Sequence, residues 1–85
     1  MSLQNPISHM QNVSRVLIEA GREIDWLKEK SRLSLFKKGL QGWLKQLRKY
    51  LRRNDLTLTE RSAISGEEKR VQYELESVST RLREM

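Results

Sequence analysis

The sequence contains no cysteine, which removes disulfide frameworks and thiolate metal sites from consideration. It is equally poor in turn formers: one proline and four glycines in 85 residues do not suit a turn-rich β fold. No stretch approaches the roughly 18 consecutive apolar residues of a membrane span. Met1 to Met10 has no basic segment leading into an apolar core, so no signal peptide is legible. The one histidine, His9, has no carboxylate or second histidine near it in sequence. A glycine-rich phosphate loop, H-E-x-x-H and a nucleophile elbow are all lacking. Nothing here supports catalysis, a cofactor or a metal ion, and the chain reads as a non-enzyme of the cytoplasm or nucleus.

What is present is charge, 33% of residues, and apolar residues at regular spacing. That spacing argues against disorder and predicts one all-α domain, a three-helix antiparallel bundle or a long helical hairpin. Residues 1–9 read as a leader, disordered or vector-derived. A core this small gives only a few kcal/mol of net stability, so a dimer or higher oligomer is expected.

Met10, Val13, Leu17, Ala20, Ile24 and Leu27 step by threes and fours, the pattern of a helix burying one narrow seam. Asn5-Pro6 suits its N-cap and first turn, and the stripe stops where either the helix ends, near Lys30, or its register shifts. A second stripe is more regular. Leu33, Leu40 and Leu47 repeat every seven residues, with Phe36, Trp43 and Tyr50 repeating between them. Leu44 and Leu51 widen it, predicting a central helix over 33–53. Gly39 and Gly42 lie inside, read as close-packing points or a kink, each costing about 1 kcal/mol relative to alanine. Asn54-Asp55 breaks the pattern. Of two capping boxes, Thr57-x-x-Glu60 and Ser65-x-x-Glu68, the second is the better start for a last helix through Val71, Leu75, Val78, Leu82 and Met85; the stretch 57–65 is a loop with one short turn or the start of that same helix. The expected core and oligomer seam is Leu17, Ile24, Leu33, Phe36, Leu40, Trp43, Leu47 and Tyr50.

Charge is uneven along this pattern. Residues 28–53 hold ten basic groups against Glu29 alone, while the flanking segments carry a slight acidic excess. Lys38, Lys45 and Arg52 fall opposite the apolar seam, Arg48 and Lys49 flank them, and Lys37 and Arg53 sit nearer its edge. A solvated helix face normally mixes both signs as pairs four apart. Between Lys30 and Arg53 there is no acid. A cation row of this kind fits phosphates, whose neutralisation releases counterions. The seven residues Lys37, Lys38, Lys45, Arg48, Lys49, Arg52 and Arg53 are therefore the candidate site for nucleic acid, read by shape and backbone rather than base sequence.

Competing readings follow from the same residues. The basic face is a solvated surface, or it pairs with Glu19, Glu23, Glu67, Glu68, Glu74 and Glu76 within the bundle or across a dimer. Phe36, Trp43 and Tyr50 suit base stacking, but their strict spacing suits a core better. Trp26 is a second packing face or an exposed contact. For the whole chain, the alternatives are a helical protein-interaction module (adaptor, small chaperone or assembly subunit) and, third, a basic amphipathic helix for an anionic membrane or a calmodulin-like groove.

Overall fold

The computed structural model describes residues 6–84. They form three helices, α1 (Pro6–Arg22), α2 (Lys30–Leu51) and α3 (Leu58–Glu84), with no strand among the described residues. Pro6 opens α1, where its missing N–H costs nothing; the expected cap Asn5 and the seam residue Met85 lie outside the described residues. Residues 6–9, read as leader, belong to α1, and Ile7 packs against the core. The molecule is a rod of 43 × 26 × 15 Å, its length close to the roughly 40 Å of a 27-residue helix.

The core is an antiparallel α2–α3 hairpin. Leu33, Leu40 and Leu47 are wholly buried and Leu44 nearly so; α3 answers with Ile64, Val71 and Val78, also seven apart. Phe36, Trp43, Tyr50, Leu75 and Leu82 pack half-buried around them. The turn between the helices is closed at both ends. Thr57 Oγ1 accepts the Glu60 amide at 3.1 Å and Glu60 Oε1 accepts the Thr57 amide at 3.0 Å, a complete capping box. Of the two starts left open, the helix uses Thr57; the favoured Ser65 lies mid-helix with Glu68 one turn further along. Glu67, two residues after Ser65, is buried in α3. The Arg61 guanidinium donates to the carbonyls of Leu51 at 2.6 Å and Arg53 at 2.8 Å. A cation there meets the negative end of the α2 dipole and the carbonyls that the helix leaves unpaired.

α1 departs from expectation. It ends at Arg22 rather than near Lys30, with Glu23 and Ile24 amides bonding three residues back to Ala20 and Gly21. Beyond it, Asp25 Oδ1 accepts the Leu27 amide and Glu29 Oε2 accepts the Asp25 amide, local bonds that compete with helix. The buried stripe is also rotated from the expected seam. Of the six seam residues only Met10 is buried; Ser14, Ile18 and Gly21 fill the interface instead. Leu17, and Ile24 just past the helix end, are half-buried and pack against the core as expected, Val13 is half-buried, and Ala20 and Leu27 are exposed.

Two contacts explain the rotation. The Trp43 indole N–H donates to the buried Ser14 hydroxyl at 2.8 Å, satisfying both groups. Gly21 lies against the Phe36 ring so closely that a methyl group there would overlap it. Arg22 reaches Glu74 of α3 at 3.4 Å. Gly39 and Gly42, expected to be close-packing points or a kink, are neither within one chain: both are exposed, with open space beside them in an unbroken helix. Trp26 is half-buried and packs against the core.

Candidate nucleic-acid interface

The heptad register that buries the α2 leucines turns the opposite side of the helix to solvent. Lys38, Lys45, Lys49 and Arg52 are exposed there, and Lys37 is half-buried at the margin. Lys38 to Arg52 spans 14 residues, about 21 Å of helix.

The seven candidate cations separate into two groups. Arg48 Nε donates to Glu68 Oε2 at 3.2 Å. Arg53 makes a two-pronged pair with Asp55 at 3.0 and 2.6 Å, and its guanidinium lies 4.9 Å from the Tyr50 ring centre. The hydrogen bond from Arg53 holds the Asp55 carboxyl below the usual aspartate range, and the same bond raises Arg53. The other five, Lys37, Lys38, Lys45, Lys49 and Arg52, have no acid partner among the described residues. Every ion pair among the described residues is made by an arginine, and no lysine takes part in one.

The physical cause is placement. Arg48 lies on the flank that faces α3, within reach of Glu68, and Arg53 lies past the helix end, next to the loop acid. Of the acids that could pair with the basic face, Glu68 does so through Arg48, whereas Glu74 pairs with Arg22 of α1 and Glu67 is buried with Arg70 at 3.9 Å. A shallow groove beside the ridge, lined by Gln41, Leu44, Lys45, Arg48 and Leu75, continues along α3 to Arg83. Arg83 escaped the sequence reading. Its only signal was a basic residue in a last turn, which ordinarily complements the helix dipole.

The aromatics do not form a stacking platform. Phe36, Trp43 and Tyr50 pack against the core, and Trp43 commits its N–H to Ser14. Among the described residues no three His, Asp or Glu side chains converge on a point that suits a metal ion. No described helix is long and apolar enough to cross a membrane. Comparison with family models, with curated proteins and with solved structures finds no match to this chain. Charge and geometry alone carry the functional reading.

Proposed function

We propose that this protein binds duplex nucleic acid, RNA or DNA, by its phosphate backbone through the exposed ridge of α2. The reading is of a non-catalytic helical oligomer, with a second copy lengthening the track of cations. One observation carries it: Lys38, Lys45, Lys49 and Arg52 stand in a row without acid partners, while neighbouring arginines are paired. Unpaired surface cations repel one another, and a polyanion relieves that repulsion while its counterions are released. The row follows a straight helix, so it supports backbone and shape recognition rather than base readout.

The test is fluorescence anisotropy with a labelled duplex of about two helical turns. Four released phosphate counterions give a log–log salt slope near −3.6, or roughly a hundredfold loss of affinity between 50 and 200 mM salt. Lys38→Glu, Lys45→Glu and Arg52→Glu each weaken binding and flatten the slope, while the helical circular dichroism signal stays intact. No binding at micromolar protein in low salt rejects the proposal. The membrane or groove-binding reading requires the apolar face of α2 to be free, and that face is the bundle core. The protein-interaction reading has an observation of its own, in the surface of α1.

A further inference from the structure

We propose that the outer face of α1 and α2, on the side away from α3, is where a second copy of this chain docks. The inference rests on the oligomeric part of the reading above and is independent of nucleic-acid binding.

α1 has two apolar stripes. One is used in the core. The other, Val13, Leu17 and Ala20 with Ile24 just past the helix end, has the three–four spacing of a helix-pairing seam; Leu17 and Ile24 touch the core with one side, yet no member is fully buried and Ala20 is exposed. On α2, Leu35, Gly39, Gly42 and Gln46 have the same kind of spacing, and all four are exposed. The two lanes meet in a shallow groove lined by Ala20, Glu23, Ile24, Arg32, Leu35 and Phe36. Leu35 is 66% exposed and Val16, beside the α1 lane, 53% exposed.

Between Arg32 and Lys49, which continue the α2 lane at its two ends, neither lane contains a charge, in a chain whose residues are 33% charged. An uncharged, partly apolar strip on so polar a molecule marks an interaction surface. The glycines fit the same reading. Both weaken an exposed helix, and inside one copy nothing occupies the space that their missing side chains leave. A helix from another chain would use that space for close approach.

The rim says which chain. Glu23, with no side-chain partner among the described residues, and Arg32 both line the groove. Across a two-fold axis each residue meets its opposite: Glu23 faces the other copy's Arg32, and Arg32 the other copy's Glu23. A symmetric contact needs this self-complementarity, and a surface made for an unlike partner does not. Arg32 already touches Glu29 at 3.0 Å, so it is held in position for a second carboxylate.

Sedimentation equilibrium of the full chain, from about 5 to about 300 µM in low and high salt, tests this. The expected result is a monomer–dimer equilibrium that tightens with salt, because each copy carries a net charge of +6 and screening relieves their repulsion. Nucleic-acid binding has the opposite salt sign, so the two readings fail separately. Leu35→Asp, at an exposed site, weakens the dimer at least about tenfold, equivalent to 1.4 kcal/mol, with helicity retained. Gly39→Ala raises the monomer's melting temperature and weakens the dimer. Glu23→Arg or Arg32→Glu alone weakens it, and the combined swap restores it. A monomer at the highest concentration in high salt, a dimer indifferent to Leu35→Asp, or a combined swap no tighter than the single changes overturns the proposal.

Discussion

The α2–α3 hairpin and α1 are held by different kinds of contact. The hairpin is closed by large aliphatic side chains at seven-residue intervals, by a complete capping box and by an arginine cap. α1 is seated by only two buried apolar side chains, Met10 and Ile18, together with a serine and a glycine, and by an exposed ion pair at its end. Burial of apolar area is non-directional and large. A hydrogen bond and a steric fit are smaller and depend on geometry. The hairpin therefore forms the stable unit, and α1 is the element whose seating is most easily altered.

Substitutions sharpen this contrast. The largest effect is expected at Leu40, wholly buried at the hairpin centre. Leu40→Ala should cost about 3 to 5 kcal/mol, enough to abolish the cooperative thermal transition of so small a domain. If that transition persists almost unshifted, the hairpin is not the stable unit. Gly21→Ala comes next. Displacing the Phe36 ring should cost about 1 to 3 kcal/mol through overpacking, which exceeds the helix-propensity gain near a helix end. Hydrogen exchange should show α1 amides losing protection while α2 and α3 keep theirs. Gly39→Ala is the control, expected to stabilise by up to about 1 kcal/mol because the site is open. An equal response at the two glycines removes the distinction between them.

Arg61→Ala should cost about 1 to 2 kcal/mol, since it leaves two carbonyls at the end of α2 without their charged donor. Urea denaturation would show a lower midpoint with an unchanged slope. The smallest effect belongs to Asp55. Its folded-state carboxyl is held below the ordinary value by Arg53, so the stability it contributes is complete above about pH 4 and is lost as pH falls through the lowered value. Asp55→Asn should remove that part of the acid response and little else. A large midpoint change at neutral pH contradicts the placement of this exposed pair.

Much of α2 was legible in the sequence because strict repetition of leucine and aromatic residues defines one helical face and its opposite. The existence of α3 was legible as well, but its start was not. Thr57-x-x-Glu60 and Ser65-x-x-Glu68 satisfy the same local rule, and the apolar residues after Ser65 favoured the wrong one. Burial of Ile64 in the core decides for Thr57. α1 was the least legible. Hydrophobicity ranks Val13 and Leu17 above Ser14 and Gly21, yet the polar and the small residue face inward because Trp43 supplies a donor and Phe36 occupies the space. At the ridge, the lack of acids was visible in sequence; that Arg48 and Arg53 have partners was not, since Glu68 comes from 20 residues away and the Asp55 pair forms past the helix end.

The sequence by itself determined that this chain is helical, which face of α2 is apolar, and that its other face is a row of cations. Periodicity and charge are properties of one helix and need no partner to be read. Tertiary structure alone decided which of those cations have no acid partner among the described residues, and which stripe of α1 is fully buried. Those outcomes depend on distances between residues from different helices, and no local pattern encodes them.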